Sequence, residues 1–347
     1  MRAAVGVAIA LVVALASIFA FSPRHVPDLA PNRVPIDRMQ LSGIVRTDAG
    51  LVTAGELGHI LVSSDNGASW RDAAVSPQRQ ALITRLVFVD GKTGLALGHE
   101  GWILRTSDGG LTWNEAAFDE ERGAPLLSAA RLPSGQWLAV GSFGRVLRSG
   151  DDGSTWQPGN LGEPSDWHLN DIAGSADRQH WLVVGESGTV LRSDDAGEHW
   201  QAVPPFYNGS LYGAVSLGAG QWVAYGMRGN VFHSSDDGAS WAASQVPAAV
   251  SLHADALTAN GQLLLGGEGG TVIASSDGGK SFKVVRTGAR ETITGLLVEP
   301  DGSWLVATDN GLQTQAAGGA KAAEAAAGGT QAQAAGSSSG QPTGRTQ

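Results

Sequence analysis

Ser63-Ser64-Asp65-Asn66-Gly67-Ala68-Ser69-Trp70 reads as a tight polar turn closed by a large aromatic, and the chain repeats it five more times. The later copies run Thr106 to Trp113, Ser149 to Trp156, Ser193 to Trp200, Ser234 to Trp241 and Ser275 to Phe282. Each keeps Ser or Thr, then an Asp two residues on (Asp65, Asp108, Asp151, Asp195, Asp236, Asp277), a Gly two beyond it, and an aromatic three after the Gly. The closing aromatics Trp70, Trp113, Trp156, Trp200, Trp241 and Phe282 are spaced by 43, 43, 44, 41 and 41 residues. A steady period of about 40 residues with one hairpin-like turn per unit marks a repeat architecture, in which each unit buries its apolar faces against its neighbours.

Outward from the turn, each unit reads as four short strands. In the first, Leu41 to Val45, Gly50 to Gly55 and Gly58 to Val62 precede the turn, and Trp70 opens the fourth strand. The same reading fits the units that begin at Ile83, Leu126, Leu169, Leu211 and Leu252. Short apolar runs bounded by Gly, Asp and Asn are strand signals, and no long helical periodicity competes with them. A seventh unit is partial: Ile293 to Val298, Trp304 to Ala307 and Gly311 to Thr314 are followed by no polar turn. An open ring would leave a sheet edge unpaired. Val34 to Gln40, otherwise unassigned, is therefore expected to supply the missing fourth strand. Residues 34–315 thus predict an all-β, seven-bladed β-propeller closed by an N-terminal strand.

The flanks differ in kind. Residues 1–21 carry an apolar run without charge after Arg2, which suits a signal peptide or an uncleaved membrane anchor. Residues 22–33 form a Pro-rich linker. Residues 316–347, rich in Ala, Gly, Gln, Ser and Thr, lack large apolar side chains and are expected to be a disordered tail. The body is therefore expected outside the cytoplasm, periplasmic or tethered to the outer side of the inner membrane.

Composition narrows the function. The 347 residues include 49 glycines, as a chain with many tight turns requires, and no cysteine, which removes disulfides and thiolate chemistry. A formal net charge of −10 with interspersed charges argues against nucleic acid as a partner. The repeated Asp carboxylates are expected to accept hydrogen bonds inside their own turns, with the aromatics packing between sheets. One acid per unit around a ring cannot converge on a single atom, so metal and catalytic roles are not assigned to them.

The turn resembles the Asp-box, or BNR repeat, found in sialidases, other glycoside hydrolases, sortilin-type receptors and photosystem II stability/assembly factors. Residues 82–113 are similar to the blade of that last family, from Leu82-Ile83-Thr84-Arg85-Leu86-Val87-Phe88 through Gly98-His99-Glu100-Gly101 to Thr106-Ser107-Asp108-Gly109-Gly110-Leu111-Thr112-Trp113. The Gly-x-x-Gly pair recurs as Gly55/Gly58, Gly141/Gly144, Gly185/Gly188, Gly226/Gly229 and Gly267/Gly270. The resemblance implies an exported, non-enzymatic assembly, stability or scaffold factor for a membrane protein complex, monomeric and without cofactor. It leaves a sialidase-like or other glycoside hydrolase as the alternative. Asn32-Arg33-Val34-Pro35 is near the Arg-Ile-Pro motif of sialidases, but the tyrosines, Tyr207, Tyr212 and Tyr225, all lie in unit five. The sialidase nucleophile is expected late in the chain.

With the Asp-turns on one face, function is expected on the other, built from second-to-third-strand tips and inter-blade loops. Its candidate partner-binding residues are Glu56, His59, His99, Glu100, Arg145, Glu186, Arg228 and Glu268 on the tips, with Trp167, His168, Tyr207 and Tyr212 from the loops. Aromatics among mixed charges suit a protein surface. His59, His99 and His168 lack metal-ligand spacing. Arg105, Arg148 and Arg192 share one register on third strands, where their stems are expected to cover blade edges and their heads to pair with nearby Asp.

Overall fold

The computed structural model describes residues 2–21, 35–119, 123–162 and 166–316. The chain divides into two units, Met1–Val34 and Pro35–Gln347. The first contains one helix, Arg2–Phe21, whose window Ala4–Phe21 is long and apolar enough to cross a bilayer. The linker expected over 22–33 and the tail expected over 316–347 lie outside the described residues, Ala316 excepted.

The second unit is the seven-bladed β-propeller. Its blades begin with Leu41–Thr47, Ile83–Phe88, Leu126–Arg131, Leu169–Gly174, Leu211–Gly218, Leu252–Leu257 and Ile293–Val298. In every blade the antiparallel strands pair in chain order from the first strand outward. The first strands neighbour one another in sequence order, and the seventh neighbours the first. Second strands such as Gly94–Gly98, Trp137–Gly141 and Trp181–Gly185 are buried along their whole length. Both their faces are covered by adjacent blades, which is why they read as unbroken apolar runs. Most outer strands are two residues long and exposed, as in Arg71–Asp72 and Gln157–Pro158.

Side chains stitch neighbouring first strands together. Thr84 Oγ1 donates to the Leu126 carbonyl (2.5 Å), Asn170 Nδ2 to Leu211 (2.7 Å) and Ser42 Oγ to Ile83. Thr294 Oγ1 donates in the same way to Leu41 (2.7 Å), so the seam between blades 7 and 1 uses the device of the other seams. Arg46 adds an ion pair to Glu299 at 2.6 Å across it.

The fourth strand expected from Val34 to Gln40 is not shown. Blade 7 has three strands among the described residues, and residues 36–39 bend as a turn. That turn still meets the outer strand Gly311–Gln315, where Gly311 N donates to the Met39 carbonyl (2.9 Å) and Leu312 N to Ile36 (3.2 Å). A strand absent from the sequence reading also appears: Ala74–Ser76 pairs in parallel with Thr112–Ala117, adding a fifth strand to blade 2. Its three residues are too short to register as a strand without the partner that orders them.

Candidate functional site

The Asp-turns are closed hydrogen-bond units. Ser63 Oγ donates to Asp65 Oδ1 (2.7 Å) and accepts from Gly67 N (2.7 Å). Asp65 Oδ1 also accepts from Ser69 N (2.9 Å), and Oδ2 accepts from Ser69 Oγ (2.5 Å). Trp70 Nε1 returns to the Gly67 carbonyl at 3.2 Å. Asp108, Asp151, Asp236 and Asp277 repeat the double acceptance from the residue four positions on. At Asp195 that residue is His199, whose Nδ1 lies 2.6 Å from Oδ2. Hydrogen bonds from the Ser69 hydroxyl and amide hold Asp65 down at about 2, and those from Thr155 do the same for Asp151. Trp113 is 1% exposed and Phe282 6%, whereas Trp70, Trp156, Trp200 and Trp241 are partly buried. These residues build the blades; their oxygens are committed.

Each tip is a three-residue turn between second and third strands. Its central residue has positive φ: Leu57, Glu100, Phe143, Ser187, Arg228 and Gly269 take φ of 53, 57, 56, 52, 54 and 64°. The first tip residue ties to the chain entering the blade, as when Glu56 N donates to the Gln40 carbonyl and His99 N to Leu82 (both 3.0 Å). The sequence-assigned face residues fall into two sectors. Over blades 1 to 3, His59 Nδ1 lies 3.3 Å from Asp72, and Arg145 pairs with Asp119 at 2.8 Å and donates to the Ala124 carbonyl. His99 and Glu100 project into solvent in the same sector.

Over blades 3 to 6 the residues converge. Phe143 stands edge-on to His168 at 4.9 Å, and Gly144 N donates to the Trp167 carbonyl (2.9 Å). Phe143 is 68% exposed and Trp167 53%. Glu186 accepts the His168 amide (3.0 Å), and Glu268 accepts the Ser251 amide (3.1 Å). Tyr212 stacks on His253 at 4.8 Å, and its phenol is raised by burial and by the charges of Glu268 and Glu186. Tyr207 leans on Phe232 at 5.1 Å, while Arg228 is exposed at its tip.

The third-strand arginines are engaged. Arg105 pairs with Asp152 at 2.7 Å, Arg192 with Asp194 at 2.5 Å, and Arg148 donates to Gln136 Oε1 and the Asn160 carbonyl.

One polar cluster escaped the sequence reading. In the ring of first strands, Arg85 Nη2 donates to Asp171 Oδ1 (3.2 Å). The buried Asp171 also accepts from Ser128 Oγ (2.7 Å) and Ala214 N (3.2 Å). Tyr225 OH donates to Asp255 Oδ1 at 2.6 Å. Burial raises Tyr225 well above the ordinary phenol range, which is opposite to what an activated tyrosine nucleophile requires. Burial also raises Asp255, while the Asp171 charge raises Arg85. A signal was available: the third position of each first strand reads Gly43, Arg85, Ser128, Asp171, Gly213, Ala254 and Gly295, so two charged residues interrupt a row of small ones.

Seven blades, six of them clasped by the same turn, define the class: an Asp-box β-propeller. Residues 126–261 match the family model described as photosynthesis system II assembly factor YCF48. A solved structure of YCF48 bound to D1 peptide is 18% identical with a TM-score of 0.61, covering 86% of this chain and 99% of that one. YCF48 from Cyanidioschyzon merolae is 13% identical with a TM-score of 0.62, covering 82% and 97%. The GH74 xyloglucanase from Xanthomonas campestris is 15% identical with a TM-score of 0.63, covering 82% of this chain and 53% of that one. At such identities the likeness is one of fold. No curated protein matches the sequence.

Proposed function

We propose that this chain is an exported, non-enzymatic propeller that serves as an assembly, stability or scaffold factor for a membrane protein complex. The observation that carries the reading is a pair of exposed aromatics, Phe143 and Trp167, on chain segments joined by the Gly144 N to Trp167 carbonyl bond on the tip face, with Glu186 holding the adjacent His168 amide. Large aromatics in water among mixed charges are what a protein partner desolvates on docking. The likeness to a YCF48 solved with a D1 peptide supports a partner that offers a peptide segment. The apolar helix Arg2–Phe21 supports export, as leader or as anchor.

A photo-reactive amino acid at Trp167 in living cells should cross-link to a membrane protein, whereas the same group at Ser240, on an Asp-turn, should not. No adduct at Trp167, or equal adducts at both positions, would overturn the reading. Fluorogenic glycosides should not be turned over. Turnover abolished by Glu186→Gln would instead establish a glycoside hydrolase.

A further inference from the structure

The ring of first strands holds an open cavity of about 210 Å³, with Arg85 and Asp255 among its lining and Gly43, Ala254 and Gly295 beside them. That is smaller than the roughly 300–1,000 Å³ of pockets that take drug-sized ligands. The two charges are opposite in sign, and each has bonding capacity left over. Arg85 spends only Nη2 on Asp171, so among the described residues Nε and Nη1 donate to nothing. Asp255 spends Oδ1 on Tyr225, so Oδ2 accepts from nothing there. Gly43 leaves open space in the wall, where a Cβ would meet nothing within 4 Å. The guanidinium cannot simply swing away, because Asp171 is 3% exposed and would keep only the Ser128 and Ala214 hydrogen bonds, with its buried charge left without a cation.

An anion alone would satisfy Arg85 and face Asp255 unfavourably; a cation alone would do the reverse. A small molecule carrying both charges satisfies both. We propose that this cavity binds a small zwitterion of the amino-acid class, its carboxylate on Arg85 and its ammonium on Asp255. The site is separate from the tip-face aromatics and does not depend on the docking role.

The test is calorimetric titration of the full chain in detergent, in buffer free of amines and carboxylates. Glycine, β-alanine and 4-aminobutyrate vary the charge separation, with acetate and methylammonium as single-charge controls. At least one zwitterion should bind about tenfold or more tighter than either control. Asp255→Asn, which keeps an acceptor for Tyr225, should remove that preference. Gly43→Val, which fills the cavity from a position with room for a Cβ, should abolish binding while the protein melts as a folded propeller. The proposal is overturned if no zwitterion exceeds acetate, or if binding survives Gly43→Val.

Discussion

Four Asp-turn carboxylates, Asp65, Asp151, Asp195 and Asp277, are held at about 2 in the folded chain, against an ordinary value of 3.8. The folded state therefore binds fewer protons than the unfolded chain between those values, and stability rises with pH across that window. The contribution is complete above the unfolded value and is lost as pH falls through the folded one. Melting temperature should hold down to about pH 5 and then fall steeply toward pH 2. Asp151→Asn should lower the neutral melting point and flatten the acid limb; a melting point unchanged down to pH 2 would refute the assignment. The aromatics differ from one another. Trp113, 1% exposed and donating to the Gly110 carbonyl at 2.9 Å, should cost about 3–5 kcal/mol on truncation to Ala. Trp156, with one side in water, should cost less, and denaturant titration of the two variants orders them.

At the scale of the element, the tip turn decouples surface chemistry from stability. Phe143 sits at φ 56°, a left-handed conformation that costs a residue with a Cβ about 1–2 kcal/mol. Glycine removes that cost and adds about 0.5–1 kcal/mol of chain entropy to be lost on folding. Phe143→Gly should therefore leave the melting temperature unchanged or raise it. The same substitution should sharply reduce cross-linking from Trp167, since half of the exposed aromatic pair is gone. A variant that melts early, or that cross-links as before, would separate the tip from the docking role.

At the scale of the whole molecule, stability rests on the approach of blade 7 to blade 1. A Cβ on Gly295 would come within 2.8 Å of the Gly43 Cα, which is backbone and yields little. Gly295→Ala should push the two blades apart and lower the melting temperature, whereas Gly43→Ala, with open space at its Cβ, should not. Equal melting points for the two variants would mean that the seam is loose. Arg46 and Glu299 also bridge the seam, but their exposure limits the pair to at most about 1 kcal/mol.

Most of the fold was legible in the sequence because each blade is built from local signals. The Asp, Gly and aromatic of a turn lie within eight residues, and their hydrogen bonds close within the turn itself, as between Asp65 and Ser69. Counting the six copies and adding the partial unit from Ile293 to Thr314 was enough to predict seven blades. The tertiary structure alone decided which side chains meet. Arg85 and Asp171 are 86 residues apart, and Tyr225 and Asp255 are 30 apart. Only the packing of blades brings each pair together: Arg85 and Asp171 both lie on first strands, while Tyr225 reaches from a second strand of one blade to Asp255 on the first strand of the next. Tertiary structure likewise gathered Phe143, Trp167 and His168 from two successive blades, and it replaced the expected N-terminal strand with a turn. A turn's partners lie within the turn, whereas a channel's or a seam's partners are set by how the blades pack. The recurrence of the turn first met from Ser63 to Trp70 was therefore enough, with the partial seventh unit, to foretell the propeller, but not the charges that line the cavity of its first strands.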